Sequence, residues 1–336
     1  MKTTAALALA LIIVVTALGA VASYIGAFPQ GLAGESALAA SAEIVVPTSE
    51  DSPKIPVART HASAGCYKTP NPAQAGTSVR TLTSGGVSRS YRVHYSASAE
   101  ANRPMPVVLN FHGRGGTGAA VEEYSGLLPV SDRQGFFLVS PDGTGSPAGW
   151  GAGASLPDWP VDDIQFGRDL LTALKSDLCI DTSRVYAVGH SNGAFMAARL
   201  ACELNGEIAA IAPVAGVYVP PGGCSAVPVL AFHGTADDVV PFGGGPVRGV
   251  YVYRGAENEL SAWAATDHCA DGRISKDVSP RVTVETSTGC TQPVKMVLIK
   301  GAGHGWPGVA GTDLAGELDT ANMIWDFFKD QQSLAQ

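Results

Sequence analysis

Charge is scarce in this chain. Only 15% of its 336 residues are charged, the formal net charge is -8, and no Lys/Arg cluster breaks the acidic balance. That argues against nucleic acid and anionic membrane surfaces as partners. There is no H-E-x-x-H and no paired Cys-x-x-Cys, so the sequence offers no metal site. A P-loop is missing, as is a G-x-G-x-x-G run behind an apolar strand, so no nucleotide cofactor is expected. No N-x-S/T sequon occurs, which removes N-glycosylation. No internal repeat is found. What is abundant is apolar: 46% hydrophobic residues and 40 glycines. Such a chain can bury a sizeable core, and its length allows one large domain or two small ones.

The N-terminus reads as a targeting segment. Lys2 is the only charge before the apolar run 5–22, and Ala20 and Ala22 fit an A-x-A cleavage site before Ser23, with Ala40 and Ala42 as a second. The run is also about as long as a short membrane span. Residues 1–42 are therefore a signal peptide or an N-terminal anchor, and a membrane is a partner only if that segment is retained. Either way the remainder is exported, to a secreted or extracellular location. Residues 43–65, rich in Pro, Ser, Thr and Ala, read as a linker, and residues 66–336 as the folded domain. Six cysteines, Cys66, Cys179, Cys202, Cys224, Cys269 and Cys290, agree with export and suggest three disulfides. Short loops favour Cys202–Cys224 and Cys269–Cys290, leaving Cys66–Cys179, although sequence alone does not fix the connectivity.

From Cys66 onward short apolar runs alternate with helical stretches. The runs 106–111, 136–140, 184–188, 208–214, 227–232 and 294–299 each end in a Gly-rich or polar turn, as buried parallel strands do. Residues 163–178 place Ile164, Leu170, Leu171 and Leu174 at helical spacing; 194–204 and 320–329 are similar. The alternation predicts an α/β fold with a mostly parallel sheet covered by helices on both faces. Ligands then belong at the carboxyl ends of the strands, where every motif below falls.

Gly189-His190-Ser191-Asn192-Gly193 fits G-x-S-x-G between a strand and a helix, the context of a nucleophile elbow. The glycines let the backbone turn sharply, and the helix N-terminus behind the serine favours an oxyanion. A base should come last in the chain. His304 lies in a glycine-rich loop after 294–299, whereas His268 sits beside Cys269 in what reads as a disulfide loop. An acid should follow 227–232, where Asp237 and Asp238 are adjacent; Asp237 is preferred. Its task is to fix the imidazole tautomer and stabilise the imidazolium. Two backbone N–H groups should hold the oxyanion: Asn192, directly after the nucleophile, and Arg114 in His112-Gly113-Arg114-Gly115-Gly116, with Gly115 second. His112 and His233 serve their turns. Asp162 and Asp163 begin a helix, so capping is their expected role. Among Trp150, Trp159 and Trp306, only Trp306 has a positional argument for contacting substrate, being two residues from His304.

These motifs resemble the secreted feruloyl esterase, acetylxylan esterase and polyhydroxybutyrate depolymerase group of α/β-hydrolases. The similarity runs from about Cys66 to the C-terminal helix. It is densest at Val161-Asp162-Asp163-Ile164-Gln165-Phe166, at Cys179-Ile180-Asp181-Thr182-Ser183-Arg184-Val185-Tyr186-Ala187 and at the serine pentad. Phe111-His112-Gly113-Arg114, Phe232-His233-Gly234-Thr235-Ala236-Asp237 and Gly303-His304-Gly305-Trp306-Pro307-Gly308 are similar too. The resemblance implies Asp237 as the acid, no cofactor, and an ester substrate: a feruloyl or acetyl ester of plant cell-wall polysaccharide, cleaved by a serine carboxylesterase through an acyl-enzyme. Depolymerisation of polyhydroxybutyrate oligomers and acyl transfer are the alternatives. Many members carry two glycines after the Ser-Asn pair; this chain has Gly193-Ala194.

Overall fold

The computed structural model describes residues 61–68, 75–99, 103–152, 159–204, 206–249, 251–309 and 311–333, all within one compact unit, Pro56–Gln336. β1 (Gly76–Ser84) and β2 (Val87–Tyr95) form an antiparallel hairpin. β3 (Met105–Phe111), β4 (Phe137–Pro141), β5 (Ile180–His190), β6 (Ala210–Val214) and β7 (Val229–Gly234) follow. Every residue of β3, β4, β6 and β7 is buried, as continuous apolar strands must be when both sheet faces are covered. β8 (Gly245–Val247) and β9 (Tyr251–Tyr253) make a small separate ribbon. β10 (Arg273–Ser279), β11 (Val282–Ser287) and β12 (Val294–Ile299) complete the main sheet.

That sheet has ten strands in the order β1-β2-β4-β3-β5-β6-β7-β12-β11-β10. The inner six, from β4 to β12, are parallel, and both flanks are antiparallel. The pleat divides the core. Val107, Leu109 and Phe111 face the side covered by α3 (Asp163–Asp177), α4 (Asn192–Glu203) and α5 (Ala256–Thr266). Val108 and Val188 face the other side, under α2 (Leu127–Gln134) and α6 (Thr320–Phe328); the short α1 (Gly118–Tyr124) precedes α2. Each large side chain so buried contributes about 1.5–3 kcal/mol over its exposed state.

The expected strands and helices are present. The two antiparallel flanks, the β8–β9 ribbon, α1, α2 and α5 are additions. β2 carries a period-2 signal, with Arg89, Tyr91, Val93 and Tyr95 inward, but its inward arginine disguises it.

The three disulfides are Cys66–Cys179, Cys202–Cys224 and Cys269–Cys290, the two that short loops favour and the one they leave over. The linker boundary at residue 65 needs correction. Ser63 Oγ donates to Leu178 O at 2.6 Å and accepts from Ile180 N at 2.9 Å. Thr182 N donates to His61 O at 2.8 Å. Residues 61–65 are thus fastened to the start of β5 and belong to the domain. The rest of the expected linker and targeting segment lies outside the described residues. Among the described residues, no helix is long and apolar enough to cross a membrane, and no group of three or more His, Cys, Asp or Glu is placed to hold a metal ion.

Candidate active site

β5 delivers its chain directly into Ser191, and α4 begins at the next residue. Ser191 has φ 56° and ψ -118°, a conformation that costs a non-glycine residue about 1–3 kcal/mol. It is held there from both sides: its N–H donates to Val214 O at 2.8 Å, and its carbonyl accepts from Ala194 N at 2.9 Å. The glycines have a different role from the one the sequence suggests. The positive φ falls on Ser191 itself, and the glycines provide room. A Cβ on Gly189 would lie 2.2 Å from Gly193 O, and one on Gly193 would lie 2.3 Å from Phe111 O.

β7 and β12 are parallel neighbours, so the loops that follow them leave the sheet at one end. They are laced together: Ala236 N donates to Ala302 O at 2.9 Å, and Gly301 N to Thr235 Oγ1 at 2.9 Å. A Cβ on Gly234 would meet Ala302 O at 2.3 Å. This lacing brings His304 Nδ1 to 2.8 Å from Asp237 Oδ2 and His304 Nε2 to 2.9 Å from Ser191 Oγ. A carboxylate only accepts, so Nδ1 carries the proton and Nε2 is left to accept the serine hydroxyl.

The Asp237 side chain is fully buried, while Asp238 is exposed. The other oxygen of Asp237 accepts from Val239 N and Val240 N, both at 2.9 Å. Burial pushes this carboxyl up. The His304 hydrogen bond and charge, the Val240 N–H and His233 outweigh it and hold the group below the usual carboxylate range. His233 donates from Nε2 to Val240 O at 3.0 Å; burial lowers its pKa and keeps it neutral. His190, to which the sequence assigns no role, packs its ring 5.1 Å from that of His304. Burial, then the neighbouring His304, bring its pKa down to about 3, so it forms an uncharged wall beside His304.

The loop after β3 lies against the elbow. His112 is pinned in it, with Nδ1 donating to Gly113 O at 2.7 Å and Nε2 accepting from Gly143 N at 2.9 Å. Gly115 N donates to Ala148 O at 2.6 Å and so is engaged. The Arg114 N–H makes no hydrogen bond among the described residues. The Asn192 N–H is the first of α4, one of those a helix leaves without an intrahelical acceptor. The Asn192 side chain clamps a second loop: Oδ1 accepts from Trp150 N at 2.7 Å, and Nδ2 donates to Trp150 O at 3.1 Å.

Two expectations change. Trp306 is 2% exposed and belongs to the core cluster of Leu314 and Ile324. It packs edge-on against Tyr124 at 5.8 Å, behind the histidines, so it presents no face to a substrate. Asp162 caps α3, accepting from Ile164 N and Gln165 N at 3.0 and 2.9 Å. Asp163 instead pairs with buried Arg89 and accepts from Gly151 N at 2.6 Å. Arg89 was missed; its only signal is its place in the inward alternation of β2.

A strained serine on a helix N-terminus, an imidazole with its acceptor nitrogen toward that serine, a buried carboxylate behind the imidazole and two nearby N–H groups are the parts of an acyl-transfer site. No family model matches the chain. A protein named as an esterase, NocK, of Nocardia uniformis subsp. tsuyamanensis is 31% identical over 329 residues, covering 87% of this chain and 94% of that one. Feruloyl esterase B of Piromyces equi is 31% identical over 252 residues, 70% of this chain and 44% of that longer protein. Among solved structures, the acetyl xylan esterase from Aspergillus awamori superposes with a TM-score of 0.56 at 15% identity, covering 75% of this chain and 99% of that one. The feruloyl esterase module from Clostridium thermocellum complexed with sinapinate gives 0.51 at 13%, covering 83% and 96%. The fold is that of the α/β-hydrolases, and the protein is a carboxylic ester hydrolase. Within that class the chain belongs to the family of the esterase NocK, and it is similar to feruloyl esterase B over 70% of its own length.

Proposed function

We propose that this protein is an exported serine carboxylesterase cleaving feruloyl or acetyl esters of plant cell-wall polysaccharide through an acyl-enzyme. The observation that carries the mechanism is the unbroken relay Asp237–His304–Ser191, with links of 2.8 and 2.9 Å. Ser191 Oγ attacks the ester carbonyl while His304 Nε2 takes its proton. The tetrahedral oxyanion rests on the N–H groups of Asn192 and Arg114. His304 returns the proton to the leaving alcohol, and water, deprotonated by the same nitrogen, cleaves the acyl-enzyme and regenerates Ser191. Asp237 keeps the imidazole in the required tautomer and stabilises the imidazolium.

The cell-wall substrate class follows the names of the relatives, and the extracellular location follows the three disulfides together with the apolar N-terminal run. Residues 1–42 are the export segment in this reading.

The test is a paired assay on the purified protein with methyl ferulate and a short-chain acetate ester, Ser191→Ala being the blank. Loss of Ser191 should lower turnover by about 10³–10⁶-fold, because the three residues act as a unit. Full ester cleavage by Ser191→Ala would falsify the mechanism. Preference for ferulate assigns the feruloyl branch, and activity on acetate alone the acetyl branch. Wild-type silence on both, with Ser191 still labelled by a serine-directed phosphonate, turns the reading toward hydroxybutyrate oligomers or acyl transfer.

A further inference from the structure

The loop that carries the Arg114 N–H proposed for the oxyanion also carries its guanidinium, and among the described residues no carboxylate pairs with that charge. Arg114 Nη1 is buried without a hydrogen-bond partner. The guanidinium lies 6.0 Å from the centre of the Trp159 ring, and Trp159 Nε1 is itself buried without a partner. Both side chains converge beside the elbow. A Cβ on Gly149 would lie 2.9 Å from Asn192 Oδ1, 3.7 Å from Trp159 Cη2 and 3.8 Å from Arg114 Cγ.

A buried N–H left unpaired is costly, and more so on a charged group. Arg114 and Trp159 present donors only, one of them cationic. Their complement accepts only and is negative, which describes a carboxylate better than a hydroxyl, since a hydroxyl brings a proton of its own. The Arg114 side chain leaves the Cα next to the N–H proposed for the oxyanion, so whatever it binds belongs to the molecule being cleaved.

We infer that Arg114 and Trp159 form a subsite for a carboxylate carried by the ester, outside its scissile group. The enzyme then favours esters of acidic molecules over neutral ones of the same shape. This inference deepens the esterase reading above and rests on it.

Two pairs of esters test it, each differing in one substituent: methyl 4-carboxycinnamate against methyl 4-nitrocinnamate, and 4-carboxyphenyl acetate against 4-nitrophenyl acetate. The first pair puts the charge on the acyl part and the second on the alcohol part. The readout is the charged-to-neutral ratio of kcat/KM, compared between wild type and variants so that intrinsic reactivity cancels. In at least one pair, Arg114→Gln should lower the ratio about tenfold or more, acting mainly on KM for the charged ester, as loss of a charge-assisted bond does. Arg114→Lys should retain part of the ratio, because the charge remains while the fork is lost. Trp159→Phe keeps a ring and removes the N–H, and should lower the ratio about threefold. Equal losses on charged and neutral esters in both pairs overturn the inference and leave the esterase reading intact, provided 4-nitrophenyl acetate is still cleaved in a Ser191-dependent way. Cleavage of neither cinnamate, with an unchanged acetate ratio, overturns it too. Failure of the wild type on all four esters removes the esterase reading and this inference together.

Discussion

Arg89 Nη1 stands 2.8 Å from Asp163 Oδ1, with the two side chains 2% and 0% exposed. The guanidinium is sandwiched as well, 3.9 Å from the Phe166 ring centre and 5.8 Å from that of Trp150. The second Asp163 oxygen holds Gly151 N, and Trp150, one residue earlier, pairs through its backbone with the Asn192 side chain. A fully buried ion pair therefore connects an outer strand to Asn192, the residue after Ser191.

Breaking that pair from one side strands a buried charge. Asp163→Ala should cost about 3–5 kcal/mol in urea unfolding and lower kcat, because the Trp150 loop loses its anchor. Removing both charges, as in Arg89→Met with Asp163→Leu, should restore most of the stability but not the kcat. A stability change under about 1 kcal/mol for Asp163→Ala would contradict the assignment.

Asp237 and Asp238 are adjacent, yet substituting them should have unequal effects. Asp237→Asn should lower kcat by about 10³–10⁴-fold through the wrong imidazole tautomer, whereas Asp238→Asn, on an exposed side chain, should stay within about twofold. The Asp237 carboxyl is held below its ordinary 3.8 in the fold. Its contribution to stability is therefore present above that value and is lost as pH falls through the depressed one. Acid unfolding of Asp237→Asn should be correspondingly less steep, read by circular dichroism between pH 5 and pH 2.

Asp267 behaves in the opposite way. It is 0% exposed, and burial pushes its carboxyl from 3.8 up to about 7 against the pull of the Val227 N–H. The folded state then holds a proton that the unfolded chain releases, so stability falls as pH rises from about 4 to about 7 and levels off above that. Asp267→Asn should flatten this slope and raise Tm at pH 8, by a free energy of at most about 4 kcal/mol. A Tm profile that keeps its slope in the variant rules out Asp267 as the source.

Trp306 offers a test of the corrected role. Being 2% exposed, Trp306→Ala should open a cavity costing about 3–5 kcal/mol. Trp306→Phe should fold and show KM values for neutral esters within about twofold of wild type. A KM shift of tenfold or more, with unchanged kcat, would restore Trp306 to the substrate surface.

The legible parts of this protein are those governed by local rules. Continuous apolar runs ending in glycine-rich turns located the inner strands, because a strand covered on both faces has no polar side to show. The pentad between strand and helix located Ser191, since a nucleophile elbow is itself a local structure. The flanking hairpins were illegible for the converse reason. Edge strands such as β1 and β10 are largely exposed, so their composition approaches that of loops. Arg89 was illegible because an inward-facing arginine looks like a break in the pattern until its carboxylate is known.

The sequence by itself determined the chain order of Ser191, the adjacent Asp237 and Asp238, and His304, the cysteine inventory and the strand–helix alternation, all of which are written in short windows. Only the tertiary structure decided which of two neighbouring aspartates reaches His304, that the Gly115 N–H is engaged while the Arg114 N–H makes no hydrogen bond among the described residues, that Trp306 is core, and that Arg114 Nη1 and Trp159 Nε1 lie near one another without partners among the described residues. Those outcomes depend on where parallel strands far apart in sequence end side by side. Hydrogen-bond distances of about 3 Å between their loops are set by packing, which no local window contains.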